Sequence, residues 1–306
     1  MKYIIFGAGE GGINVKKNMS KNYGPDFVVS CFCDNDIKKH GKYIENILIV
    51  NPRDIFNIEF DEIIISSVYF REIKKQLLSM GVDEKSINIA SVDLYSDFVM
   101  GTGNSRKLAE ELICNISRIL INNNIHHFVD AGTLLGIIRD KELLPWDGDI
   151  DIAISSEDYK QVFQLLSHYF ASYKSKYCQN NKWSCELVYS ELDFDGLIKS
   201  EPVSILLKNN VYDDISRTLH VDLILKYKTK NVVDWYGGGC KFSTAIELYK
   251  NIKLISYKSC KVSIPQLTDE YLTHLYGDFM TPIKEWTNDK YNNISGLPKP
   301  YNTSPK

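Results

Sequence analysis

Residues 132–154 read GTLLGIIRDKELLPWDGDIDIAI, and the last ten of them, Pro145 to Ile154, set carboxylates at alternate positions ahead of an apolar run. Side chains alternate along a strand, so Asp149 and Asp151 share one face while Ile150 and Ile152 share the other. The apolar face belongs in a core, which fixes the two carboxylates side by side on a rigid element. Carboxylates held that close repel unless a cation lies between them. Hard divalent ions such as Mg²⁺ accept one or two carboxylates and keep positions for phosphate oxygens. Upstream, "HHFVD" at 126–130 reads as a strand running into Gly132-Thr133, after which 134–139 is helical. A glycine and a hydroxyl at a strand-to-helix turn offer donors to an anion. The combination of turn, helix and DxD strand predicts an α+β fold.

The pattern resembles that of the nucleotidyltransferase fold, which implies a third carboxylate on a later strand. "RTLHVDLILKYK" at 217–228 supplies Asp222, with His220, Ile224 and Lys226 on its face and Val221, Leu223 and Leu225 opposite. Asp222 either completes the metal site or takes the proton of an acceptor hydroxyl. Asp193 and Asp195 in "LDFDG" form a rival DxD, but the glycine favours a turn. His220 and Lys226 read as a solvated strand face, and His126-His127 as structural. Trp235 to Gly239 reads as a loop beside a ligand or an ordinary tight turn. Tyr276-Gly277-Asp278 either closes the site or caps a helix.

The same run resembles the signature of the LicD/fukutin family of phosphotransferases, in which a GTLLG turn and an arginine precede a PWDDDID-type stretch. "YLTHLYGDFMTPIKEW" at 271–286 resembles that family's closing motif. The resemblance spans roughly residues 105–290. It implies Mg²⁺-dependent transfer (Mn²⁺ could stand in) of a phosphorylated alcohol such as phosphocholine. The donor would be its cytidine diphosphate derivative and the acceptor a sugar hydroxyl of a cell-surface glycan or its precursor. Carried onto this chain, Gly132 and Thr133 touch the donor phosphates, Asp149 and Asp151 hold the metal with Asp222 as third carboxylate, and Arg139 matches the family arginine. Its partner, phosphate or aspartate, stays open. The chain departs from the family at Gly148, where an aspartate is usual. With a strand running through 147, position 148 points away from the metal pair and Asp147 joins the active face.

The first hundred residues alternate strand-like runs (2–6, 27–33, 61–67, 87–91) with helical ones (to about 22, and 71–81), which predicts a small parallel sheet with covered faces. Gly7, Gly9 and Gly12 form GxGxxG between the first strand and helix, and Asp34 ends the second strand. Such glycines let backbone approach a pyrophosphate, and such an aspartate can hold a ribose hydroxyl. The competing reading is a tight, close-packed turn with no cofactor. The segment resembles the Rossmann-like N-terminal domains attached to sugar-modifying enzymes of polysaccharide pathways.

With 306 residues the chain suits about two domains. The polar break at 100–105 divides a Rossmann-like domain, 1–100, from a nucleotidyltransferase-like catalytic domain, 105–306. Hydrophobic residues make up 44% and charged residues 25%, with net charge −3 and pI near 6.1, which gives no nucleic-acid footprint. No apolar run reaches the roughly 18 residues of a membrane span, although peripheral membrane attachment is compatible with the sequence. Seven scattered cysteines without CxxC read as reduced thiols in a cytoplasmic protein. Two other functions compete: transfer of a nucleoside monophosphate, and a non-catalytic regulatory module binding NAD or another nucleotide through the N-terminal domain.

Overall fold

The computed structural model describes residues 1–67, 69–91, 94, 100, 103–178, 181–194, 197–210, 218–237, 240–283 and 290–296. Asp195, the side chain of Asp193, Gly101, Thr102, Gly238, Gly239, Trp286 and the tail from 297 lie outside this set, as do any readings placed on them. The chain forms two compact units that divide between residues 97 and 98.

The first unit contains β1 (Lys2–Phe6), α1 (Glu10–Tyr23), β2 (Val28–Cys33), β3 (Tyr43–Ile44), β4 (Ile47–Val50), β5 (Glu62–Ile65), α2 (Phe70–Ser79) and β6 (Ile87–Ile89). The sheet order is β3-β4-β2-β1-β5-β6. Every pairing is parallel except the β3–β4 hairpin. With β3 set aside, the order from β4 to β6 is the Rossmann order, 3-2-1-4-5, and its switch point lies between β1 and β5. The strands are near-continuous apolar runs because both faces are covered: Ile4, Ile5, Phe6, Phe32, Ile63 and Ile65 are buried. The short strands β3 and β4 carry too little periodicity to announce themselves in the sequence.

The second unit opens with α3 (Gly103–Asn122), whose buried Leu108, Leu112, Ile116 and Leu120 recur at helical spacing. β7 (His127–Val129) and α4 (Ala131–Leu135) follow, and α4 continues as one π-helical turn over Gly136–Asp140. Next come β8 (Asp149–Ser155), α5 (Tyr159–Phe170), the long hairpin β9 (Trp183–Phe194) and β10 (Leu197–Asn209), and β11 (His220–Lys228). β12 (Val232–Gly237), β13 (Cys240–Ala245), α6 (Ile246–Tyr249), β14 (Ile252–Tyr257), β15 (Cys260–Pro265), α7 (Thr268–Tyr276) and β16 (Ile294–Gly296) complete it. β11 is central. Its first half lies between β10, antiparallel, and β8, parallel, and its end pairs with β12. β7 closes the far side of β8.

The cysteine reading needs correction. Cys114 on α3 and Cys260 on β15 form a disulfide, and five cysteines remain as thiols. The partners are 146 residues apart in sequence, so no local spacing could reveal them.

Candidate active site

The register of two parallel strands builds the site. Asp149 of β8 stands opposite His220 of β11, and Asp151 opposite Asp222. Ile150 and Ile152, like Val221 and Leu223, are fully buried on the other face, so a slip of one residue would bury the carboxylates. All four polar side chains are part-buried, with Asp149 37% exposed at the cleft. His220 Nε2 lies 3.6 Å from Asp149 Oδ2, which corrects the solvated-face reading of His220.

The electrostatics are those of crowded anions. Withdrawal from water, then the charges of Asp149, Asp147, Asp222 and Asp130, hold Asp151 well above the usual carboxylate range. Asp147 is raised likewise by burial and by Asp149. For Asp149 desolvation also pushes upward, but the hydrogen bond and charge of His220 outweigh it and the carboxyl lies low. Burial raises Asp222 against the hydrogen bond from Ser204. Asp222 Oδ1 is buried with no hydrogen-bond partner, an orphaned acceptor facing other carboxylates. Oxygen-rich, crowded and under-satisfied, this set suits a hard divalent cation. Among the described residues, no three His, Cys, Asp or Glu side chains already converge as a ligand cage. Repulsion accounts for that spread, since Asp149 leans instead on His220.

β8 begins at Asp149, so Asp147 and Gly148 belong to the turn before it rather than to the strand. Asp147 still reaches the site, because its carboxylate packs on Gly132. A Cβ at Gly132 would come within 2.4 Å of Asp147 Oδ2, so a larger residue there would push the carboxylate aside. Gly148 donates its N–H to Asp147 Oδ1 at 3.1 Å, and its backbone stays outside the left-handed region. Nothing in its φ demands glycine. Thr133 is fully buried and its Oγ1 accepts the Asp151 N–H at 3.0 Å. It thereby secures the peptide of Asp151.

Arg139 is also engaged elsewhere. Its Nε and second guanidinium nitrogen reach the two Asp140 oxygens at 2.7 and 2.8 Å, and Nη1 reaches the Phe279 carbonyl at 3.4 Å. The arginine thus ties the π-turn to the segment after α7 instead of meeting Asp149 or Asp151. Sequence reasoning named Tyr276 as a possible closing residue but missed Tyr291. Tyr276 and Tyr291 approach hydroxyl to hydroxyl at 3.4 Å, and each is held high by burial first and then by neighbours that include Asp151. Lys226, read as solvated, is buried against Asp130.

Residues 124–266 match the family described as LicD/FKTN/FKRP, nucleotidyltransferase domain, and this span contains the turn, both strands and all four aspartates. The second unit is a LicD-family domain. Residues 1–88, ahead of the LicD domain, match the family described as C2185-like, N-terminal. An uncharacterized protein of Rickettsia prowazekii (strain Madrid E), RP689, is 32% identical over 88 residues, 26% of this chain and 33% of that one. RT0683 of Rickettsia typhi (strain ATCC VR-144 / Wilmington), also uncharacterized, is 36% identical over 59 residues, 19% of each. The chain therefore spans a third or less of the length of these curated relatives. Among solved structures, UDP-D-quinovosamine 4-dehydrogenase from Vibrio fischeri is 23% identical at TM-score 0.24, covering 29% of this chain and 76% of that one. Biliverdin reductase from Synechocystis sp. PCC 6803, with biliverdin and NADP+, is 10% identical at TM-score 0.27, covering 92% of each. Similarity this low carries no argument for either unit.

The glycine turn of the first unit is built for close packing. Gly7 takes φ +120°, and a Cβ at Gly12 would lie 2.0 Å from the Gly7 carbonyl oxygen, so the two glycines let α1 pack on the end of β1. Around Gly9 there is open space. Asp34 accepts the Ala8 N–H at 2.8 Å, the Asp36 N–H at 2.9 Å and Lys39 Nζ at 2.8 Å. Burial pushes its pKa up, but these bonds outweigh burial and hold it low. Asp34, expected to hold a ribose hydroxyl, thus joins the glycine loop at Ala8 to its own following turn at Asp36 and Lys39.

Proposed function

We propose that this chain is a transferase that moves a phosphorylated alcohol, phosphocholine-like, from a cytidine diphosphate donor to a sugar hydroxyl of a cell-surface polysaccharide or its precursor. The observation that carries the reading is the pairing of Asp151 with Asp222 and of Asp149 with His220 across β8 and β11, with an orphaned acceptor on Asp222. In the reaction, the sugar oxygen forms a bond to the β-phosphorus, the bond to the bridging oxygen breaks, and cytidine monophosphate leaves. Asp149, Asp151 and Asp222 would hold Mg²⁺. Bound there, the ion neutralises charge on the transferred phosphoryl group and orients the leaving nucleotide. The carboxylates on this face are also the groups placed to take the hydroxyl proton, and the raised pKa of Asp222 favours its holding one. Gly132, near the start of α4, seats the Asp147 carboxylate, while Thr133 and Arg139 hold the frame. The N-terminal unit supports binding of a nucleotide-like ligand only by its open Gly9, and the committed Asp34 speaks against NAD.

The test is incubation of the full chain and Mg²⁺ with a panel of cytidine diphosphate-linked alcohols and glycan acceptors. Release of cytidine monophosphate, abolished by chelation, is expected. Release of pyrophosphate from a nucleoside triphosphate instead would establish nucleotidyl transfer.

A further inference from the structure

Behind the carboxylates lies a buried charge pair that the proposed chemistry leaves unused. Lys226 and Asp130 are each 1% exposed, with Nζ 2.7 Å from Asp130 Oδ2 and 3.4 Å from the centre of the Trp235 ring. Asp130 Oδ1 accepts the Tyr271 hydroxyl at 2.7 Å and the Ala131 N–H at 2.8 Å. A pair this deep contributes little stability compared with apolar side chains of similar size, because both ions lose their hydration. Its reason is found in what Asp130 carries. Ala131 sits at φ +41°, a left-handed conformation that strains an alanine. From that turn the Asp130 N–H donates to the Asp151 carbonyl at 2.9 Å, and Thr133 Oγ1 accepts the Asp151 N–H at 3.0 Å. The Asp151 peptide is gripped on both sides by one strained turn.

We propose that Lys226 is a positioning residue: by anchoring Asp130 it holds the Ala131 turn in its left-handed form, and that turn fixes the peptide of Asp151 on the active face. The geometry stands by itself, and only the activity arm of the test rests on the proposed transfer reaction. The full chain with Asp130→Ala and Lys226→Met together loses both charges and the anchor without leaving one buried ion unpaired. Amide hydrogen exchange at Asp151 should speed up at least tenfold (about 1.4 kcal/mol of lost protection), while Ile154 and Leu225 keep wild-type rates. Adding Ala131→Gly, which relaxes the strained φ, should restore part of the Asp151 protection. A folded double variant with unchanged exchange at Asp151 overturns the proposal. Should the double variant not fold, Asp130→Asn with Lys226→Met keeps the acceptor for Tyr271 and the Ala131 N–H and removes only the ion pair. It should raise Asp151 exchange a few-fold, and no change in that variant sinks the idea equally. In the activity arm, kcat should fall at least tenfold with KM little altered. If the wild type transfers nothing, the reaction reading fails, and the exchange result still decides the role of Lys226.

Discussion

Asp149, Asp151 and Asp222 are identical in chemistry and differ in surroundings, and the surroundings assign their behaviour. Asp151, crowded by four other carboxylates, is the charge whose loss relieves most repulsion. Asp151→Asn should therefore leave the thermal midpoint unchanged or higher while transfer falls roughly 10²–10⁴-fold. Full turnover in that folded variant would remove the carboxylate from the chemistry. His127 gives a separate test of pH dependence. Burial, against the bond from Nδ1 to the Ile125 carbonyl, lowers its pKa from 6.5 to about 4. Between those values the unfolded chain binds a proton that the folded chain refuses. The contribution is complete above about pH 6.5 and lost as pH falls towards 4, about 3 kcal/mol in all. Urea midpoints measured from pH 7 to 4 should decline, and His127→Gln should flatten the decline. An equal slope in the variant would clear His127 of that role.

At the level of elements, the DID strand was legible because alternation of Asp and Ile fixes both period and face. Asp222 was legible for the same reason on β11. The jobs of Thr133, Arg139 and Lys226 were not, since each is decided by a partner that only the fold brings near: the Asp151 peptide, Asp140 with the Phe279 carbonyl, and Asp130. The strand of Lys226 looked amphipathic, yet at Lys226 its polar face is covered by Trp235 and by Asp130, which Tyr271 of α7 holds. In the N-terminal glycine motif, Gly7 and Gly12 are needed for packing while Gly9 is not. Gly12→Ala pushes a Cβ into the Gly7 carbonyl and should destabilise the first unit by about 1–3 kcal/mol. Gly9→Ala meets nothing within 4 Å at φ −119° and should change stability by less than about 0.5 kcal/mol. Denaturant midpoints for the two variants check this, and equal losses would contradict the packing account.

For the whole molecule, the division into two units was visible as a change from alternating β and α runs to the DxD constellation. The covalent link inside the second unit was not. A bridge between Cys114 and Cys260 closes a loop of more than a hundred residues, and such bridges typically stabilise by about 2–4 kcal/mol. Thiol titration of denatured, unreduced protein should count five of the seven cysteines, and reduction should lower the unfolding midpoint. A count of seven would show that the bridge does not form. The parallel partnership of β8 and β11 has a consequence for the order in which this protein matures. Between the two strands the chain must make α5 and the whole β9–β10 hairpin. A nascent chain therefore carries its first two carboxylates well before the strand that brings the third has been synthesised. Contacts of such high sequence separation are paid for late in folding. Truncated or half-folded products should accordingly lack the joined face of Asp149, Asp151 and Asp222, so the site comes into being only once β11 has docked.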